Sequence, residues 1–482
     1  MLEASTHKYL REFLKKHPSN WKHIYAFGRL IANFLRKRKN LLVNSEIFHT
    51  NEWYAGVLIA LFLNQENAKF IISSEKIKLL INVYLPLFKE LGFNFLVKKN
   101  QIIFSKHKIL LLTLDELIKN HTNLRVQNQN LIFAESESIQ RDINKKLKIY
   151  LNKKDWYYLA NKLPHKNCEL INVYNDLKKK FFLKASPNQK YISINSDEIN
   201  FLKTIFLKFS FYKDKFSRLK RGIESNWALW VELDHDKFEW SLQAQPIEGI
   251  YEIKELLIEN NIIFLSSFRK DNFLQKYFKK YDIIFNSVIH LNSFFKEQHI
   301  SIYVPSRLLL PNNPLFIKST IDKCIKFSLL SKGRTIFLSN QINFKINLAT
   351  KLASLFGQRI LLENHPFLDN HIVCSSFDWW ISNIHLISPP EHIIIPFLPL
   401  PSMGKPINQI TISYINSNSN DWFREFMFPE AFNKIDQAIS PLRQNAGKLI
   451  FLDGRINNRK WGQDLLEMIQ PHKEINYMFP FD

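Results

Sequence analysis

The chain has 482 residues, more than one hydrophobic core of roughly 250–300 residues supports, so two or three domains are expected. Hydrophobic residues make up 46% and charged residues 23%, which excludes a wholly disordered chain. Lys and Arg outnumber Asp and Glu by 66 to 44, a net charge of +22 that favours polyanionic partners. The longest uncharged apolar run, Trp53 to Leu63, is far short of the roughly 20 residues of a membrane helix. The opening residues, MLEASTHKYLREFLKKH, carry charge where a secretory leader needs an apolar stretch, so a cytoplasmic location is expected. Cys168, Cys324 and Cys374 are too few and too scattered for a disulfide framework or a four-thiolate zinc or iron–sulfur site.

In chain order, the first third alternates buried strands with amphipathic helices. Residues 41–45 read as a strand, 52–64 as a helix, 68–73 as a strand and 75–91 as a helix. The last of these has Ile77, Leu80, Ile81, Tyr84, Leu85 and Phe88 three and four apart. Two more strands follow at 109–113 and 130–134, and the alternation implies βαβ units on a parallel sheet. Residues 145–222 differ, being Lys-rich, helical in period and interleaved with aromatics, and are expected to form a mainly helical insertion. Between Lys145 and Arg221 there are 19 basic and 6 acidic residues, so this stretch holds more than half of the net charge.

Strand signals resume at 228–233 and 262–267, and the first domain is expected to end near residue 300. A proline-marked segment, 303–314, then leads into a second α/β pattern over 301–482. Its expected elements are strand 334–339, helix 341–356 capped by Gly357, strands 359–363, 371–375 and 393–397, a helix near 430–444 and a last strand at 448–453.

The run HIIIPFLPLPSMGKP (392–406) and the stretch FPEAFNKIDQAISPLRQNAGKLIFLDGRINNRKWG (428–462) resemble two late motifs of the Rad3/DinG-type superfamily 2 DNA helicases. The second has Pro-x-Ala, a helix carrying Gln and Arg, a Gly turn and a strand ending in Leu-Asp-x-Arg. Residues 331–357 resemble the strand and helix that open that family's second domain, and 300–314 the segment before it. The resemblance implies two RecA-like parallel-sheet domains, with residues 145–222 inserted in the first. It also implies ATP and magnesium as cofactors and single-stranded or forked DNA as partner, without an iron–sulfur cluster.

The first half matches this family in placement and departs from it in chemistry. A phosphate-binding loop needs glycines to turn backbone N–H groups onto phosphates, a Lys for the β/γ oxygens and a Ser/Thr for magnesium. Between the first strand and helix stands NSEIFHTNE, without Gly or Lys, and the chain nowhere contains Gly, four residues, Gly-Lys-Ser/Thr. If nucleotide binds there, Ser45, Thr50 and Asn51 are the residues to hold it; a loop plugged by Phe48 or His49 would instead mark loss. The acidic motif is reduced to Ala134-Glu135-Ser136-Glu137, with Glu135 in the place of the water-polarising Glu. Ser266-Ser267-Phe268 stands where the family has Ser-Ala-Thr, and the last motif keeps Gln437 and a single Arg, Arg443. ATP turnover is therefore expected to be weak or absent. An active helicase and a scaffold that binds no nucleic acid are the two rival readings.

Within 145–222, Lys153, Lys154, Lys213, Arg218 and Arg221 are candidates for a nucleic-acid backbone, with Trp156 stacking on bases. Tyr157, Tyr158, Phe211, Tyr212 and Phe216 share the stacking role. Arg455 is expected to pair with a neighbouring Asp. Trp379-Trp380 is expected to pack between sheet and helix, and the histidines around 365–392 lack the spacing of a zinc site.

Overall fold

In the computed structural model the described residues are 1–19, 21–121, 128–163, 165, 167–187, 189–208, 215–225, 227–267, 273–291, 299–331, 333–363, 370–384 and 387–477. Two sheets dominate. The first orders its strands Ser287–His290, Leu41–Asn44, Asn261–Ser266, Asn130–Phe133, Ala68–Ile71, Lys108–Leu112, Gln101–Ile103 and Leu96–Lys98. The first six pair in parallel, and the last two add an antiparallel hairpin edge. The second sheet is parallel throughout, in the order Ile360–Leu362, Ile372–Ser375, Thr335–Leu338, His392–Ile395, Lys448–Phe451, Ile300–Tyr303 and His472–Ile475.

Alternate residues of each central strand serve opposite faces, as the twofold period of a strand requires. Leu42, Leu131, Phe133, Ile262 and Phe264 enter one core, whereas Leu41, Val43, Ile132, Ile263 and Leu265 enter another beneath the helices Leu2–Lys16, Ile24–Lys37 and Tyr54–Leu63. Both faces are buried, so these strands read as continuous apolar runs. Gly28 and Gly56 let two of the helices cross closely, because a Cβ on Gly28 would collide with Leu10 and would lie 3.6 Å from the Gly56 Cα. The expected helix at 75–91 spans 74–90, with one wider turn at Leu80–Tyr84.

The inserted region differs from expectation. Four helices, Lys153–Lys162, Asn167–Lys184, Ser196–Lys208 and Lys215–Glu224, accompany a four-stranded antiparallel sheet. Its strands run in the order Ile149–Leu151, Glu239–Gln245, Ala228–Asp234 and Tyr191–Ser193. The segment 228–233 therefore belongs to this module and not to the first parallel sheet, and the expected boundary at 222/223 falls inside the module. The reason is pairing: seven consecutive residues of Ala228–Asp234 are matched by Glu239–Gln245 across a tight turn, a partnership that the apolar pattern of one strand does not reveal. The module shares one continuous apolar core with both parallel-sheet domains. No helix among the described residues is long and apolar enough to cross a membrane.

Candidate functional site

Three loops meet at the carboxyl ends of three neighbouring strands of the first sheet: 45–53 after Leu41–Asn44, 135–138 after Asn130–Phe133, and Ser267 after Asn261–Ser266. This is the edge where open α/β sheets bind ligands.

In the first loop the polar groups are turned inward. Ser45 N–H donates to the Ser266 carbonyl at 2.8 Å, and its hydroxyl accepts from Ile47 N–H at 3.4 Å. Thr50 Oγ1 donates to the Ile47 carbonyl at 2.8 Å and accepts from Glu52 N–H at 3.3 Å. The Asn51 carbonyl accepts from the Tyr84 hydroxyl at 3.0 Å, and the Thr50 carbonyl from the Trp53 indole N–H at 2.9 Å. Phe48 is buried between Phe27 and Trp53, with ring centroids 5.7 and 5.4 Å away. His49 is held neutral, its pKa lowered to about 3 by burial and by the charges of Lys76 and Arg443.

The acidic segment divides its two carboxylates. Glu135 takes a left-handed backbone conformation, φ +58°, and its carboxylate pairs with Lys76 Nζ at 2.6 Å. Glu135, expected to face a water, is thus spent on a cation from the helix after the neighbouring strand. Glu137 faces the second domain instead. Its Oε2 accepts from Ser267 N–H at 3.2 Å and its Oε1 from Gln437 Nε2 at 3.3 Å, while its carbonyl accepts from Asn433 Nδ2 at 3.1 Å. Burial raises the Glu137 carboxyl above the ordinary range, and the neighbouring charge of Glu135 adds to this.

Gln437 and Asn433 lie four apart on the helix Phe428–Ile439 and therefore on one face of it. Arg443 follows in the short helix Leu442–Asn445 that leads into the strand Lys448–Phe451. Its Nε sits 3.8 Å from Glu46 Oε1, both side chains being almost wholly buried, and its Nη2 donates to the Ile469 carbonyl at 2.8 Å. Burial lowers Arg443 to about 10, against the raising influence of Asp436. The arrangement joins two of the three predicted catalytic residues, Gln437 and Arg443, to the opposite loops, and it leaves Glu135 apart. Sequence reasoning missed Lys76 and Asn433 as members of the cleft, and the pairing of Glu46 with Arg443.

Arg455 pairs with the buried Asp453 at 2.6 Å, and Asp453 also accepts from Leu398 N–H, so this arginine braces a loop. Trp380 is buried and donates to the Ala438 carbonyl at 2.9 Å, as the packing expectation required.

Residues 390–472, which contain Gln437 and Arg443, match the helicase C-terminal domain family. The ATP-dependent DNA helicase DinG of Photobacterium profundum is 30% identical over 88 residues, a match covering 18% of this chain and 13% of that relative. Among solved structures, an XPD helicase superposes with a TM-score of 0.58 at 13% identity, covering 94% of this chain and 99% of the other. Xpd4 of S. tokodaii superposes with a TM-score of 0.60 at 12% identity, covering 94% and 100%. Residues 390–472 are thus similar to a helicase C-terminal domain, and the chain shares the fold of the XPD structures.

The inserted module redistributes the predicted nucleic-acid residues. Trp156 is 1% exposed and packs against Tyr174, Phe206, Phe216 and Trp240, so it cannot reach a base. It sits on the inward face of the helix Lys153–Lys162, where the apolar period places it. Phe216 is buried with it. Lys153 is exposed but paired with Glu239 at 3.0 Å, and Lys154 and Arg221 are exposed. Arg218 is half-buried, with Nη2 3.4 Å from the Leu147 carbonyl. Lys213, Phe211, Tyr212, Phe268, His365 and His385 lie outside the described residues. Among the described residues no three His, Cys, Asp or Glu side chains are grouped to hold a metal.

A second tie joins the two domains away from the cleft. Glu248, just beyond the module's last strand, accepts from Tyr281 at 2.8 Å and from Tyr414 of the helix Pro406–Ser417 at 3.0 Å, and it pairs with Lys280. Burial alone would raise the Glu248 carboxyl, yet Lys280 and the two tyrosine hydroxyls bring it below the ordinary value.

Proposed function

We propose that this chain is a DNA-binding member of the Rad3/DinG helicase type in which ATP hydrolysis is weak or lost, acting in the cytoplasm on single-stranded or forked DNA. The observation that carries the reading is the interdomain cleft, where Glu46 meets Arg443 and Phe48 fills the loop. Magnesium triphosphate carries several negative charges and needs a lysine, backbone N–H groups and a metal carboxylate. The residues present do not fit that need. Ser45 and Thr50 spend their hydroxyls within the loop, Ala134 precedes Glu135, and Glu46 places an anion beside the arginine that a γ-phosphate would require.

The net charge of +22 and the relationship to DNA helicases support DNA as the partner. The test is binding of purified protein to a labelled oligonucleotide at low and high salt, with and without Mg-ATP, following phosphate release in the same samples. Salt-sensitive binding that ignores ATP, with no phosphate released, is the expected result. DNA-stimulated phosphate release would restore an active helicase, and absence of binding at every salt concentration would leave a scaffold.

A further inference from the structure

Domains joined by an ordinary interface move against each other, and a large apolar interface is what prevents it. Here the two domains share an apolar core. Ile139 and Ile143, on the helix Ile139–Leu147 that follows the acidic segment, and Phe428, Phe432 and Ile435, on the helix Phe428–Ile439, are buried in one continuous cluster. Beside it the Glu137 carbonyl accepts from Asn433 Nδ2 and its Oε1 from Gln437 Nε2. Glu46 and Arg443, only 4% and 3% exposed, face each other at 3.8 Å, and the Ile469 carbonyl fixes Arg443 to its own domain at 2.8 Å.

The tie at Glu248 uses none of these elements. Glu248 lies where the inserted module returns to the first domain, and it holds Tyr281 of that domain and Tyr414 of the helix Pro406–Ser417 together. The same helix packs against the module's strands Ala228–Asp234 and Tyr191–Ser193. One point of attachment leaves a pivot, whereas two attachments on different elements, with a shared core, remove it. The polar ties fix the register more than the strength, since a buried ion pair adds little over apolar side chains of the same size. One partner left alone, however, is a buried charge that only entry of water relieves.

We propose that the two ties and the shared core latch the parallel-sheet domains into one rigid body, so that their separation does not change when Mg-ATP or DNA is added. Any partner then meets a surface of fixed shape. The inference goes beyond the DNA-binding reading and does not depend on it.

The experiment is single-molecule energy transfer between dyes on the full chain carrying Lys37→Cys in the first domain and Lys351→Cys in the second, both exposed positions. Cys168→Ser removes the exposed native thiol, and Cys324 and Cys374 are buried. With the ties intact, one narrow distance population is expected, unchanged by Mg-ATP, by an oligonucleotide and by high salt, which screens exposed charges far more than buried ones. A second, longer population, or a shift on adding Mg-ATP, would overturn the latch. Arg443→Gln, which strands the Glu46 carboxylate, is expected to add a longer population, and Glu46→Gln/Arg443→Gln, which removes both charges, to abolish it again. A folded Arg443→Gln protein that keeps the single narrow distance would take the latch away from this pair. Should Arg443→Gln fail to fold, Glu248→Gln/Tyr414→Phe at the half-buried second tie is expected to broaden the distribution, and an unbroadened one would overturn the two-point attachment. Phosphate release followed in the same samples separates this inference from the proposed loss of ATP hydrolysis. Release at an unchanged distance would overturn that loss and leave the latch, and opening by Mg-ATP without release would do the reverse.

Discussion

Arg443 of the second domain and Glu46 of the first form a buried ion pair across the cleft, Nε to Oε1 at 3.8 Å. Each side chain thereby compensates the other's charge within the chain. Glu137 with Gln437 and Asn433, and Glu248 with Tyr414, add further links between the domains.

Breaking this pair from one side leaves a charge buried without its partner. Arg443→Ala is expected to cost about 3–5 kcal/mol, and Glu46→Ala a comparable amount. Their combination should cost less than the sum of the two, with a coupling of about 1–3 kcal/mol. Denaturant unfolding of the four proteins measures this cycle; strict additivity would mean that the two charges do not sense each other.

Phe48 predicts both a stability loss and a negative result. Phe48→Ala should destabilise the first domain by about 3–5 kcal/mol through the cavity it leaves. Removing the ring restores neither lysine nor glycine, so millimolar Mg-ATP should raise the melting temperature of neither the wild type nor the variant. A dose-dependent upward shift in either protein would contradict the reading of the loop.

The pH dependence at Glu137 has a definite sign. Its folded-state pKa is raised from the usual 4.5, so its favourable contribution is present below that value and is lost as pH rises through the folded pKa. Glu137→Gln removes this titration while keeping an acceptor for Ser267 or Gln437. Relative to wild type, the variant should therefore gain stability progressively as pH is raised above about 4.5, which melting curves between pH 4 and 8 would reveal. A difference that stays flat across this range would argue against a raised pKa.

Tyr414→Phe removes one hydroxyl from Glu248 and should cost about 1 kcal/mol, since Lys280 and Tyr281 still hold the carboxylate. Trp156→Ala should cost about 3–5 kcal/mol, whereas Trp156→Phe should leave DNA affinity at a set salt concentration unchanged because the ring lies in the core. Reduced DNA affinity in a folded Trp156→Phe protein would return this residue to the binding surface.

The strands at 41–44, 130–133, 335–338 and 448–451 were legible because each is an apolar run whose alternate residues fill two cores, and burial on both faces writes itself into composition. The second domain's Gln437 and Arg443 were legible because they sit in a contiguous motif. The loss of Gly and Lys from the 45–53 loop was also plain, since chemistry that depends on residue types can be read by their absence. Sequence alone left open which partners those residues take. Glu46 and Arg443 are separated by nearly 400 positions, Glu137 and Gln437 by 300, and only the docking of two domains brings them within reach. The same holds for Ala228–Asp234, whose apolar pattern suits either sheet and whose place was decided by pairing with Glu239–Gln245. Of the neighbouring rings at 156–158, composition gives all three alike; a helix turning 100° per residue sends Trp156 inward and leaves Tyr158 in solvent.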